Sequence, residues 1–203
     1  MEIKYFSKIV FRSSLFLAII FFAIGISAQQ NTNAKINPAI DISEFMDSAH
    51  HWYDLFGNDN VINALPDKPR YKPNEISKIA DNIILYQKVN GGWAKNYDML
   101  AILTEEQKEA IKKSAADTNS TTFDNGATHS QTDYLAKVYT ITKEKKYKDA
   151  CLRGINFILS AQYANGGWPQ YYPAMHGYNK HITYNDGAMI GVMKVLLKIA
   201  QND

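Results

Sequence analysis

The chain has 203 residues, of which 46% are hydrophobic and 21% are charged, which is typical of a folded globular domain and not of a disordered segment. Its 22 basic and 20 acidic residues leave a formal net charge of +2, so no general electrostatic attraction to nucleic acid is expected. The single cysteine, Cys151, excludes an intramolecular disulfide framework and is expected to be a small buried hydrophobe.

The first 28 residues have the pattern of a secretory signal peptide. Basic residues between Lys4 and Arg12 precede an apolar run over residues 15–26, and small residues follow up to Ala28. A membrane-spanning helix needs roughly 20 apolar residues, so this shorter run predicts no stable membrane insertion after cleavage. We therefore predict a signal peptide over residues 1–28, a linker over residues 29–41 and a secreted or periplasmic mature protein.

Apolar residues at helical spacing predict α-helices, and no β-strands, in the rest of the chain. The predicted helices cover residues 42–56, 74–87, 104–114, 128–139, 145–163 and 187–201. Gly57 and Asn58 end the first helix, a proline-containing loop covers residues 61–73, and a polar loop covers residues 117–125. The sequence therefore predicts one all-α domain over residues 42–203.

A short motif recurs at the ends of two predicted helices. The residues of the two copies are Gln87, Asn90, Gly91, Gly92 and Trp93, and then Gln162, Asn165, Gly166, Gly167 and Trp168. Paired glycines end a helix and turn the chain sharply, and an indole can cover the helix end. Such repeated units suit helical hairpins arranged around a ring, and terpene cyclases carry a similar pattern. The repeat therefore indicates architecture and not chemistry.

Two polar segments at the beginnings of helices are the candidates for chemistry. Residues 123–127 read Phe-Asp-Asn-Gly-Ala, and residues 184–188 read Tyr-Asn-Asp-Gly-Ala. Their Asp and Asn side chains could be helix N-caps, each worth about 1 kcal/mol. Alternatively, carboxylate and amide oxygens from the two helix starts converge on a hard cation, which prefers oxygen ligands. The two interpretations are compatible, and both stay open at this point.

A contiguous calcium-binding loop does not explain the first polar segment. Asp117, Asn119 and Thr121 alternate as they would in such a loop. However, Thr122 stands at the sixth position, where glycine is needed, and Thr128 stands at the twelfth, where glutamate is needed. Any calcium must therefore be held by residues that are distant in sequence.

Four motifs in one order resemble pectate lyases of polysaccharide lyase family 10. They cover residues 91–96, 123–128, 166–173 and 182–189, and the resemblance extends from about Ala49 to Asp203. It implies an α/α toroid, incomplete here at its C-terminal side. It also implies cleavage of polygalacturonate by calcium-dependent β-elimination, in which the metal neutralises the uronate carboxylate and makes the C5 proton more acidic.

The resemblance also implies roles for individual residues. The calcium ligands it implies are Asp124, Asn125 and Asp186. Substrate-binding candidates lie beside these motifs. Lys95 and Asn96 would bind uronate carboxylates and hydroxyls, or form a solvated turn, and the resemblance favours binding. Gln170 and Tyr172 offer the amide and aromatic surface typical of sugar sites, and Lys180 and Asn185 lie close to Asp186 in sequence. The family's catalytic base is an arginine whose motif would lie beyond Asp203, while Arg70 and Arg153 are expected to be structural. We therefore expect a truncated lyase that lacks the catalytic arginine.

Three other functions fit parts of the pattern. A helical-toroid glycoside hydrolase would use Asp124 and Asp186 as its two carboxylates. A carbohydrate-binding module would bind polygalacturonate without turnover, which the missing arginine allows. A terpene cyclase fits least, because the exported chain lacks a suitable acidic cyclisation motif. His50 and His51 are a poor zinc pair because adjacent residues face different sides of a helix, and His129 is expected to be a capping or core residue.

Overall fold

In the described part of the chain, the apolar stripes of the sequence become the packed faces of six helices. The computed structural model describes residues 38–54 and 60–201, which fall within one compact unit. The helices in this part of the chain are α1 (Met46–Asp54), α2 (Ile76–Tyr86), α3 (Glu105–Lys113), α4 (His129–Thr142), α5 (Lys145–Ser160) and α6 (Ala188–Gln201). Extended pairing within these ranges is limited to isolated bridges such as Ala94 with Thr121. The predicted all-α class is confirmed.

The predicted N-terminal features fall largely outside this range. The signal peptide over residues 1–28, most of the linker over residues 29–41, and the helix end at Gly57 and Asn58 lie outside the described residues. Ile40, near the predicted end of the linker, is already buried in the core. Between residues 38 and 201, with the gap at 55–59, no helix is both long enough and apolar enough to cross a membrane.

Local chemistry explains where the helices begin and end. At the start of α3, Thr104 Oγ1 accepts from Gln107 N at 3.1 Å and Gln107 Oε1 accepts from Thr104 N at 3.1 Å, which is a complete capping box. Helix α4 runs to Thr142 and ends where Lys143 adopts a left-handed conformation. Helix α5 ends three residues earlier than predicted, because Tyr163 N donates to Gly167 O and belongs to the following turn.

Helix α4 lies at the centre of the fold, where it packs against α2, α5 and α6. The larger core cluster joins α2 to α4 and α5 and includes Ile79, Ile83, Trp93, Leu135 and Tyr147. A second cluster includes Phe123, Phe157, Trp168 and Val192, and it ties α5 to α6. Cys151 is a free, buried cysteine, as predicted, and burial raises the pKa of its thiol to about 11.

The two copies of the Gly-Gly-Trp motif form the same turn. Trp93 Nε1 donates to Ile83 O at 2.7 Å, and Trp168 Nε1 donates to Ile158 O at 2.8 Å. Both carbonyls belong to the last turn of a helix, where the backbone supplies no intrahelical donor. The indoles therefore satisfy the ends of α2 and α5, as the sequence motif predicted.

The remaining motif residues close each turn in matching ways. Gln87 Nε2 and Gln162 Nε2 each donate to the carbonyl four residues later at 3.0 Å. Asn90 and Asn165 each accept from the amide two residues later, at 3.1 and 3.2 Å. The first glycine of each pair has a φ near 90°, a conformation that other residues rarely adopt. The internal repeat is therefore a repeat of structure as well as of sequence.

Candidate functional site

The two polar helix-start segments meet in space. The Asp124 turn (Asp124–Gly126) and the Asn185 turn (Asn185–Gly187) are single 3-10 turns that contact each other and precede α4 and α6. Their central residues, Asn125 and Asp186, both have left-handed backbones, with φ of 48° and 50°. Among non-glycine residues, Asn and Asp adopt this conformation most readily. The similarity of the two sequences therefore reflects one shared turn geometry.

The Asp124 and Asn125 side chains are not N-caps of the elements that follow them. No side-chain capping hydrogen bond is made at the described starts of either turn or at Thr128, which precedes α4. Instead, Asn185 Nδ2 lies 3.5 Å from Asp124 Oδ1 and 2.5 Å from Asp186 Oδ2. One amide group thus joins two carboxylates from different turns, and these three side chains form the carboxylate cluster of the site.

Lys95 supplies a positive charge to the carboxylate cluster. Its Nζ forms an ion pair with Asp124 Oδ2 and lies 5.8 Å from the centroid of the Tyr171 ring. The Asp124 side chain is 4% exposed, whereas that of Lys95 is 26% exposed. Burial acts to lower the pKa of Lys95, but the hydrogen bond to Asp124 and the charges of Asp124 and Tyr171 outweigh it, so the pKa is raised. Lys95 is therefore protonated at neutral pH.

A second network supports the other side of the Asp124 turn. Asn125 Nδ2 donates to Asn96 Oδ1 at 2.8 Å, so two predicted site residues contact each other. Ser48 Oγ, on α1, donates to Asn125 O at 2.7 Å and accepts from Asn96 N at 3.3 Å. Gly126 allows the turn to lie close to the backbone of Glu44, because a Cβ at position 126 would clash with Glu44 O at 2.5 Å. Contacts with α1 and with Glu44, which precedes it, therefore help to position the Asp124 turn.

Residues 121–123 are held between the two Gly-Gly-Trp segments. Thr122 N donates to Trp93 O at 3.0 Å, and Phe123 N donates to Gln170 O at 3.0 Å. Thr122 Oγ1 donates to the same Gln170 carbonyl at 2.6 Å. Hydrogen bonds to both Gly-Gly-Trp segments therefore fix the backbone of the residues that directly precede Asp124.

Thr128 links the first repeat to the site from the other end of the Asp124 turn. Its Oγ1 donates to Thr122 O at 2.8 Å and accepts from Trp93 N at 3.2 Å. Sequence reasoning missed Thr122, Thr128 and Ser48 as positioning residues. The signal for the two threonines was their place on either side of the Asp-Asn-Gly motif. Ser48 offered no comparable signal, because it comes from a remote helix.

Three predicted substrate-binding residues have contacts outside the carboxylate cluster. Gln170 is buried and acts through its carbonyl, while the Tyr172 ring packs edge-on against Phe157 with centroids 5.8 Å apart. Lys180 is exposed on a 3-10 turn, and its carbonyl accepts from Tyr163 OH at 2.6 Å. The substrate-binding roles of Gln170, Tyr172 and Lys180 stay predictions.

Both arginines of the described ranges make structural contacts, as expected. Arg70 Nε pairs with Asp98 Oδ2 at 2.6 Å, and the Asp98 side chain is fully buried. Arg153 donates to Gln87 Oε1 through Nε at 2.9 Å and through Nη2 at 2.6 Å. Neither of these arginines contacts the carboxylate cluster.

In the part of the chain that the structure describes, histidines and acidic residues do not form a separate metal centre. His50 pairs with Asp54 at 2.9 Å and His51 with Asp47 at 3.6 Å, so the adjacent histidines have different partners along α1. Within residues 38–54 and 60–201, no group of three or more His, Cys, Asp or Glu side chains is placed to hold a metal ion. Asp124 and Asp186 therefore offer two carboxylates and no complete cage of acidic side chains.

A cavity of about 270 Å³ adjoins the carboxylate cluster, and its lining includes Asp186, Gly126, His129, Gly191 and Lys194. A larger cavity of about 470 Å³ is lined by other residues, including Ile40, Ile141 and Val195, and by none of the predicted site residues. His129 is buried, and neither of its ring nitrogens has a hydrogen-bond partner among the described residues. It is a core histidine and not a cap.

Replacing His129 with methionine is expected to remove a pH dependence of stability. Burial lowers the pKa of His129 from 6.5 to about 4, with Asp133 opposing the shift and Lys194 adding to it. Between those pH values His129 is protonated in the unfolded chain and neutral in the folded chain. The free energy of unfolding therefore falls as the pH falls. This contribution is at most about 3 kcal/mol, is fully present above pH 6.5, and is lost towards pH 4.

Urea denaturation from pH 4 to pH 8 measures this effect as the difference between the two proteins. The matched control is His50→Gln, because the His50 side chain is 69% exposed. An equal pH dependence in the His129→Met variant and the unsubstituted protein would contradict the assignment.

Comparisons with known proteins find a matching family and similar solved structures. A family model described as pectic acid lyase matches residues 87–203. A family 10 polysaccharide lyase from Cellvibrio cellulosa has a similar structure, with a TM-score of 0.51 and 36% sequence identity, over 63% of this chain and 36% of that chain. A search of curated proteins finds no match.

A second solved structure from Cellvibrio cellulosa is similar to the same extent. It is an aspartate-to-alanine mutant of a family 10 polysaccharide lyase in complex with trigalacturonic acid, with a TM-score of 0.53 and 34% identity. The match covers 63% of this chain and 37% of that chain. The chain thus spans little more than a third of the length of these solved relatives, and the predicted α/α-toroid fold is confirmed for that part.

Proposed function

Because the chain belongs to the pectic acid lyase family, we propose that it binds polygalacturonate through calcium and serves the cleavage of this polymer by β-elimination. One observation carries the proposal: Asp124 and Asp186, from separate turns, meet at the amide of Asn185. The solved relative that contains trigalacturonic acid supports an oligogalacturonate as the ligand.

The two carboxylates of the cluster and the neighbouring Asn125 side chain fit a calcium ion. Asp124 and Asp186 supply carboxylate oxygens. Asn125 donates to Asn96 through its amide nitrogen, and its Oδ1 makes no hydrogen bond among the described residues. Calcium prefers six to eight oxygen ligands, so a set this small leaves positions for water and for a uronate carboxylate. The donor set therefore suits a cation shared between protein and substrate. We propose Asp124, Asn125 and Asp186 as its protein ligands.

Residues next to the proposed calcium site are placed to bind the substrate. Bound calcium would neutralise the uronate carboxylate and acidify the C5 proton. Lys95, protonated and partly exposed beside Asp124, can pair with a uronate carboxylate, while the amides of Asn96 and Asn185 can bind carboxylate or hydroxyl oxygens. These contacts would fix the orientation of the sugar relative to the cation.

Proton abstraction also needs a base, and neither described arginine is placed for it. Arg70 is committed to Asp98, and Arg153 is committed to Gln87. We therefore propose that residues 38–201 supply cation and substrate binding, and that turnover depends on an arginine outside the described residues. Binding of polygalacturonate without turnover is the second candidate function. It is favoured by the contacts of Arg70 with Asp98 and of Arg153 with Gln87, which keep both arginines from acting as the base.

Export is part of the proposal, since polygalacturonate is an extracellular polymer. The basic residues and apolar run within residues 1–28 support a signal peptide, which would place the mature protein outside the cytoplasm, secreted or periplasmic.

The test is absorbance at the unsaturated-uronide band during incubation of the purified protein with polygalacturonate, with calcium and then with a chelator. A calcium-dependent rise is the result expected of a lyase. Binding without a rise would support the polygalacturonate-binding function. Cleavage without an unsaturated product would contradict the lyase proposal and indicate a glycoside hydrolase. Fully methyl-esterified pectin is the control substrate, because it lacks the carboxylates.

A further inference from the structure

The buried carboxylate of Asp124 already has a cationic partner. Its Oδ2 forms an ion pair with Lys95 Nζ. Its Oδ1 accepts a long hydrogen bond from Asn185 Nδ2 at 3.5 Å. A carboxylate that is 4% exposed needs a compensating charge, because burial of an unpaired ion is costly. Lys95 supplies that charge.

A divalent cation and the Lys95 ammonium cannot both be close partners of Asp124 at low cost. Two positive charges on one carboxylate would lie within about 5 Å of each other, where their repulsion exceeds thermal energy even at the effective dielectric of a protein surface. Asp186 is exposed and can approach the same cation from the second turn. The metal thus has two carboxylates available, whereas Lys95 pairs with one.

The Lys95 side chain is partly exposed to solvent. It is 26% exposed, and it is a flexible four-carbon stem that ends in a compact ammonium group. The centroid of the Tyr171 ring lies 5.8 Å from Nζ, so this ring offers a second, weaker partner. The displaced ammonium would remain beside the site, where a polyanion carrying a carboxylate on every sugar can meet it.

We propose that Lys95 is the resident counter-ion of Asp124, that calcium displaces it, and that the released ammonium then binds a uronate carboxylate. This inference rests on the proposed calcium site and adds to it a coupling between the two ligands. Lys95 weakens the binding of calcium alone and strengthens the binding of polygalacturonate once calcium is present. One side chain therefore links cation binding to substrate binding.

The test is calorimetric titration of the Lys95→Met variant with calcium chloride, without any sugar. The variant is expected to bind calcium at least about tenfold more tightly than the unsubstituted protein, because the competing charge is gone. In saturating calcium, the same variant is expected to bind polygalacturonate about tenfold more weakly. Lys78→Met is the matched control, since Lys78 is an exposed lysine on α2 that pairs with Glu75.

The outcomes separate this inference from the proposed function. Calcium affinity that is unchanged or reduced in Lys95→Met overturns the displacement and leaves Lys95 as a support for Asp124. Failure of both proteins to bind calcium overturns the proposed calcium site, and this inference with it. If the methionine variant does not fold, the titration is repeated with Lys95→Gln, which keeps a polar group near Asp124. Thermal denaturation gives a second readout, because Lys95→Met should be destabilised without calcium and recover with it.

Discussion

The Asp124→Ala variant is expected to lose calcium-dependent binding of polygalacturonate, with an affinity at least about 100-fold weaker than that of the unsubstituted protein. Asp124 is the most buried member of the carboxylate cluster, and calcium affinity depends on the number of charged ligands. The substitution also leaves Lys95 unpaired, which places a like charge beside the cation. Titration with trigalacturonic acid, with calcium and with a chelator, measures the effect.

Two further variants make the Asp124 result specific. Asp124→Asn keeps the shape of the side chain and removes its charge, so it should resemble the alanine variant if charge is what matters. Asp149→Ala is the control, because Asp149 pairs with Lys145 on α5 and lies outside the carboxylate cluster. Retention of calcium-dependent binding in a folded Asp124→Ala protein would remove the basis of the proposed site.

Replacing Trp93 with alanine is expected to reduce the free energy of unfolding by about 3–5 kcal/mol. The indole is fully buried in the larger core cluster, and the chain approaches it closely at Gly154. Its loss would create a cavity and would also leave Ile83 O, at the end of α2, without its donor. Urea denaturation followed by circular dichroism measures the difference.

Trp93→Phe separates the two contributions. Phenylalanine keeps much of the apolar contact but cannot donate to Ile83 O, so the expected cost is about 1–3 kcal/mol for the unpaired carbonyl. A cost below about 1 kcal/mol for Trp93→Ala would contradict the structural role assigned to the indole.

Much of the fold could be predicted because its signals are local. Apolar spacing located the helices α1 to α6 of the described ranges. Thr104 with Gln107 marked the start of α3 by chemistry that acts within four residues. The Gly-Gly-Trp turns were also predictable, since a helix end and its covering indole lie ten residues apart. The end of α5 was placed too late, because the bond from Tyr163 to Gly167 competes with further helix.

The site was only partly predictable. The resemblance singled out Asp124, Asn185 and Asp186, and the structure brings them together. It did not predict that Lys95 would be the direct partner of Asp124, nor that Thr122 and Thr128 would hold the turn between the two repeats. Gln170 was expected at the substrate, yet its described contacts support the backbone of Phe123.

The sequence by itself determined the helical class, the repeated turns and the identity of the polar helix starts, because each depends on residues within about ten positions of one another. Only the tertiary structure decided which side chains meet. Asp124 and Asn185 are brought together by the packing of α6 against α4, and Lys95 reaches Asp124 because the first Gly-Gly-Trp turn lies against Thr122 and Thr128. Such long-range pairings depend on how whole helices pack, and no local pattern in the sequence encodes them.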